Sequence, residues 1–100
     1  MGILTKIFGG KSKSELKDLV ANKQAIVVDV RSTGEYNMGH VKGSLNIPLE
    51  QISSKSEALK GKGKVIITVC ASGNRSGMAK MQLKAKGIEV YNGGAWHSMR

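Results

Sequence analysis

The chain of 100 residues is short of several residue types, and each shortage excludes something. It holds one cysteine, Cys70, so there is no internal disulfide and the thiol needs another explanation. Four aromatic residues are too few for the stacking platform that single-stranded nucleic acid requires. Acidic side chains number 7 against 16 lysines and arginines, a formal charge of +9. No apolar run approaches the ~18 residues of a membrane span. Residues 1–8 lack the long apolar core and small-residue cleavage site of a secretion signal. Lys6 stands where an acylation signal beginning at Gly2 wants Ser or Thr. These absences point to a cytoplasmic chain, where a lone thiol stays reduced, with no nucleic-acid or membrane partner. One cysteine and two histidines also give no expectation of a metal site.

What is present suits one small domain. Apolar residues make up 40%, enough for a core, and a chain of this length rarely divides in two. A leader over residues 1–10 ends at Gly9-Gly10, and the domain proper covers residues 11–100. Ser12 with Glu15 three residues later forms a capping box, which predicts a helix over residues 13–21. Residues 25–30 (AIVVDV) and 64–69 (KVIITV) are short, β-branched and almost continuously apolar. That composition suits strands covered on both faces of a parallel sheet. Briefer strands are predicted at residues 44–47 and 88–91, a helical turn near Glu35, and helices over 49–59 and 78–86. Pro48 suits the first turn of the former helix, and Met78, Met81 and Leu83 read as packing residues of the latter. Strands alternating with helices give an α/β fold with a mainly parallel sheet.

The chemistry gathers at Cys70, where the most apolar strand stops and a helix is about to begin. Ligands of open α/β sheets bind at that end of the strands. Ala71, Ser72 and Gly73 carry little bulk, so the backbone N–H groups of the loop 71–75, which ends Asn74-Arg75, can converge on one centre. Such a nest, opening onto a helix N-terminus, is an anion site, and the same field favours thiolate over thiol. Arg75 adds a planar fork of donors suited to a sulfonate, sulfate or phosphate. Residues 61–100, which hold Cys70, also hold seven basic side chains against Glu89 alone. That surplus either concentrates anions near the thiol or merely solvates the surface.

The loop Cys70-Ala71-Ser72-Gly73-Asn74-Arg75-Ser76 resembles the active-site loop of the rhodanese-like sulfurtransferases, with its Cys-x-x-Gly-x-Arg pattern. An upstream block agrees: Asp29-Val30-Arg31, Glu35-Tyr36, Gly39-His40-Val41, Gly43-Ser44 and Asn46-Ile47-Pro48, with Gly93-Gly94 matching the family's closing pair. Val41 and Ser44 stand where the family has Ile and Ala, and Trp96 follows Gly-Gly early. The resemblance implies a single rhodanese-like domain, a mostly parallel five-stranded sheet with helices on both faces. It also implies a transferase that needs no cofactor. Cys70 takes a sulfane sulfur from thiosulfate, polysulfide or a low-molecular-weight persulfide, and passes it to a thiol or an acceptor protein. Backbone groups of Ala71, Ser72, Gly73, Asn74, Arg75 and Ser76 hold the persulfide, and Arg75 binds the donor's oxygens. Asp29 and Arg31 lie on the same rim; Arg31 is expected to tie loops together through an acid such as Glu35, and His40 to act as a hydrogen-bonding strut.

Two other functions compete. A persulfide carrier, docking on a partner and turning over little free thiosulfate, has the same loop. Phosphatases and arsenate reductases also combine Cys, a helix N-terminus and Arg, but they place one more residue between Cys and Arg than the four found here. A tighter loop suits a single extra sulfur better than a tetrahedral phosphoryl group.

Overall fold

A computed structural model describes residues 11–100, and the leader expected over residues 1–10 lies outside the described residues. The Ser12 hydroxyl accepts the Glu15 N–H at 3.1 Å while the Glu15 carboxylate accepts the Ser12 N–H at 2.8 Å. This closed box starts α1 (Lys13–Ala21) as its sequence predicts. The two apolar runs become β1 (Ala25–Asp29) and β3 (Val65–Cys70), paired in parallel with Ala25 opposite Val65 and Asp29 opposite Val69. The short β2 (Leu45–Asn46) flanks β1, and β4 (Val90–Ala95) flanks β3. The order among the described residues is β2-β1-β3-β4, parallel throughout.

Among the described residues the sheet thus has four strands where five were expected. Lys11 makes only an isolated bridge, because the next residue, Ser12, is already committed to capping α1. The predicted turn near Glu35 is α2 (Thr33–Asn37), opened by a second capping box between Ser32 and Glu35. After Pro48 the chain makes a 3-10 turn, Leu49–Gln51, before α3 (Ile52–Gly61), since the Gln51 N–H reaches back to the Pro48 carbonyl at 2.8 Å. The next helix, α4 (Asn74–Ala85), starts four residues earlier than its apolar pattern suggests. The last element is α5 (Trp96–Met99).

Alternation along β3 divides the core in two. Ile66 and Cys70 join Val28, Val30, Ile52, Leu59 and Leu83 under α3 and α4. Ile67 and Val69 join Leu16, Val27, Trp96 and Met99 under α1 and α5. Both faces of the strand are therefore dry, which is why its sequence shows no polar alternation. Each fully buried Ile or Val contributes about 1.5–3 kcal/mol by leaving water. On α4 the buried positions are Ser76, Ala79 and Leu83, one stripe at helical spacing. Met78 and Met81 fall off that stripe and are exposed, so only Leu83 of the three expected packing residues packs.

Candidate functional site

Cys70 is the last residue of β3, and its Sγ lies on the side of the sheet that α4 covers. The strand delivers the sulfur to the helix start, and Gly73 makes the corner between them. Its φ of 105° is open to glycine at little cost, and it brings the Gly73 N–H to 3.0 Å from Sγ. Without a side chain, Gly73 offers α4 no cap, so the first N–H groups of a 12-residue helix stay available to the sulfur. The Ser76 hydroxyl lies 3.4 Å from Sγ.

Burial by itself raises the pKa of the thiol. Against it act the Ser76 hydroxyl and the backbone N–H groups of Ser76, Gly73 and Ser72, and together they leave Cys70 below the ordinary cysteine value of 9.0. Cys70 is accordingly a buried thiol poised toward thiolate, able to act as a nucleophile. Ala71, Ser72 and Asn74 are exposed at the mouth of the loop, while Ser76 is fully buried beneath it.

The arginines pair differently from expectation. Arg31 does not reach Glu35; it meets Asp29, with Nε at 2.9 and 3.0 Å from the two oxygens and Nη2 at 2.7 Å from Oδ2. Asp29 sits at the end of a fully covered strand, so the nearest cation that can enter beside it is two residues along the same chain. Arg31 Nη2 also donates to the Gly39 carbonyl at 2.6 Å, and the guanidinium lies over the Trp96 ring, 4.7 Å from its centre. Trp96 is buried there as the first residue of α5. Glu35 pairs with Arg75 instead, at 2.8 and 3.0 Å in a two-point contact. Hydrogen bonds from Arg75, then from the Ser32 N–H, lower the Glu35 carboxyl to about 2. His40 is a strut: its Nδ1 lies 2.8 Å from the Tyr36 carbonyl and its ring stacks on Tyr36 at 3.7 Å.

Sequence reasoning overlooked Asn92. The strand predicted there stops at residue 91, but β4 continues through Asn92 to Ala95, with a register shift opposite Thr68 and Val69. Asn92 Oδ1 accepts the Ser76 hydroxyl at 2.6 Å and the Gly94 N–H at 2.9 Å, and Nδ2 donates to the Gly73 carbonyl at 3.1 Å. One side chain therefore ties β4 to both ends of the cysteine loop. Its signal in the sequence is an amide in a strand, a disfavoured placement that calls for a reason.

Among the described residues, no group of histidine, cysteine or carboxylate side chains is arranged to hold a metal. No described helix is long and apolar enough to cross a membrane.

The family described as Rhodanese-like domain matches residues 12–96. The chain belongs to that family. A thiosulfate sulfurtransferase of Escherichia coli, PspE, is 35% identical over 69 residues, 67% of this chain and 66% of the relative. A putative sulfur carrier protein of Bacillus subtilis, YrkF, is 33% identical over 63 residues, 63% of this chain and 34% of that one. The fold of a human single-domain sulfurtransferase superposes with a TM-score of 0.73 at 26% identity, covering 85% of this chain and 88% of that one. The chain spans between 14% and 66% of the length of the curated relatives it matches. The single rhodanese-like domain expected from the sequence is the domain observed.

Proposed function

We propose that this rhodanese-like domain is a sulfurtransferase that carries sulfane sulfur on Cys70. The observation that supports it is the convergence of the Gly73 N–H and the Ser76 hydroxyl on one buried sulfur at the start of α4. The Cys70 thiolate attacks the outer sulfur of a donor such as thiosulfate. The S–S bond of the donor breaks, its electron pair leaves with sulfite, and a Cys70 persulfide anion remains. An acceptor thiolate, or cyanide in an assay, then attacks the outer sulfur and returns Cys70 as thiolate. The scheme is ping-pong and depends on thiolate character and a good leaving group. The loop from Ala71 to Ser76 holds the persulfide charge with its N–H groups. Asp29 and Arg31 hold the rim in shape and do not touch the donor.

Arg75 spends two of its five N–H donors on Glu35 and has others for the donor's oxygens, but Glu35 offsets its charge. This pairing favours a second reading, in which the domain accepts sulfur from polysulfide or a persulfide more readily than from thiosulfate and passes it to an acceptor protein. Mass spectrometry after exposure to each donor tests both. One sulfur atom added to Cys70 and removed by cyanide as thiocyanate is the expected result. Cys70→Ser abolishes the uptake; full activity in that variant overturns the mechanism. Faster loading by glutathione persulfide than by thiosulfate selects the carrier.

A further inference from the structure

We propose that Asn92 is a positioning residue that holds the single hydroxyl hydrogen of Ser76 while Cys70 is a thiol and yields it to the sulfur when Cys70 ionises. The proposal rests on the reading of Cys70 as the reacting nucleophile, and it concerns what sets the state of that sulfur.

The orientation of the Asn92 amide is fixed from both sides. The Gly94 N–H needs an acceptor, and the Gly73 carbonyl, which also takes the Gly77 N–H, would face oxygen against oxygen if the amide were turned, so oxygen and nitrogen cannot exchange places. That puts Oδ1, which only accepts, 2.6 Å from the Ser76 hydroxyl. A serine hydroxyl has one hydrogen, and here Asn92 has it. Ser76 therefore turns a lone pair toward Sγ at 3.4 Å, which fits a thiol S–H and not a thiolate. Ionisation of Cys70 reverses the demand: sulfur now needs a donor, and the hydrogen must leave Asn92 to supply it. Ser76 is fully buried, so water does not compete for it. Its backbone is also pinned, since the Ser76 carbonyl accepts the Thr68 hydroxyl at 2.9 Å, and only the hydrogen is free to turn.

A second observation points to the same contact. Gly77 sits in the first turns of α4, where glycine costs roughly 1 kcal/mol relative to alanine. A Cβ at that position would lie 3.3 Å from Asn92 Nδ2, tighter than ordinary packing. The unfavourable glycine in a helix and the unfavourable asparagine in a strand thus serve one arrangement. The charged and titratable groups on the elements around the loop include Lys13 and Glu15 on α1, Asp29 at the end of β1 and Arg31 just beyond it, Glu35 on α2, Arg75, Lys80 and Lys84 on α4, Tyr91 on β4 and His97 on α5. The four that form the two ion pairs are untouched by substitution at Asn92.

Alkylation of Cys70 by neutral iodoacetamide across a range of pH reads the thiolate directly and needs no sulfur donor. Asn92→Ala releases the hydrogen to sulfur and moves the midpoint down by about one to two pH units, the scale of one hydrogen bond to a charged group. Ser76→Ala moves it up. In the Ser76→Ala background, Asn92→Ala moves it little, because the hydrogen they contest is gone. An equal shift in both backgrounds, or none in either, overturns the proposal. Should Asn92→Ala fail to fold by circular dichroism, Asn92→Asp keeps both acceptor roles. Its upward shift must then be larger with Ser76 present than in the Ser76→Ala background, and equal shifts overturn the proposal. A chain that shows the expected shifts yet takes sulfur from no donor upholds this inference and refutes the proposed function.

Discussion

Arg31 and Arg75 each close a two-point pair with a carboxylate at the same end of the sheet, yet the pairs occupy opposite environments. The Arg31 and Asp29 side chains are 6% and 0% exposed, whereas Arg75 and Glu35 are 36% and 39% exposed. The first pair has lost its water and is held on every side, by the Gly39 carbonyl and by the Trp96 ring. The second keeps its water and joins α2 to the first turn of α4, the helix that follows the cysteine loop. Identical chemistry is therefore locked into the architecture in one place and left open to solvent in the other, and burial makes the difference. A buried charge is costly to strand, while an exposed one is screened and free to exchange partners.

The largest test of this contrast is Arg31→Ala. Removing it leaves the Asp29 carboxylate buried without its cation, though still bonded to the backbone N–H of residue 31, a loss of about 3–5 kcal/mol. That is a large share of the stability of a small domain, and the urea midpoint falls accordingly. Arg31→Lys keeps a charge but not the fork, and falls between the two. A wild-type midpoint for Arg31→Ala would show that this pair is no more structural than the exposed one.

Arg75→Ala is the next step down. Its fold stays near wild-type stability, because the pair it breaks is solvated and Glu35 remains capped by Ser32. The effect appears in donor use instead. The apparent KM for thiosulfate rises by about tenfold, the worth of one charge-assisted contact, while loading from a polysulfide changes less. An unchanged KM for thiosulfate assigns Arg75 to the positioning of α2 alone.

The contrast also shows what a sequence can and cannot convey. The unbroken apolar runs at 25–30 and 64–69 announce covered strands, and Ser12 with Glu15 announces the start of α1, because both signals are local. Cys70 and Gly73 are legible for the same reason: a thiol, a small-residue loop and a helix start lie within a few residues. Pair partners are not local. Glu35 lies four residues from Arg31 and 40 from Arg75, so proximity in sequence favours the wrong arginine. Asn92 fails similarly, since its partners Gly73 and Ser76 come from another element and its place in β4 depends on a register shift. The predicted strand stops short of Gly93 and Gly94 because glycine is rare within strands. Here glycine extends the strand across the bulge.

The smallest expected effect is in acid, and it belongs to the exposed pair. The Arg75 hydrogen bonds, with help from the Ser32 N–H, bring the Glu35 carboxyl from 4.5 to about 2 in the folded chain. A carboxyl with a depressed folded value binds its proton more readily when unfolded, so its contribution to stability is complete above 4.5 and disappears as the pH falls toward 2. Glu35→Gln removes that dependence, and its unfolding free energy therefore declines less steeply than that of the wild type between those limits. Above pH 5 the two curves run parallel. Because Glu35 is solvated, the difference is small and shrinks further as salt is added. The Arg75→Ala chain provides the control. Without the guanidinium, Glu35 titrates nearer the ordinary range, and a carbon-13 carboxyl shift followed by NMR moves its midpoint upward. A midpoint that stays near 2 in Arg75→Ala would mean that Ser32, not the ion pair, holds the carboxylate. The exposed pair would then be an accident of proximity rather than a coupling between α2 and the cysteine loop.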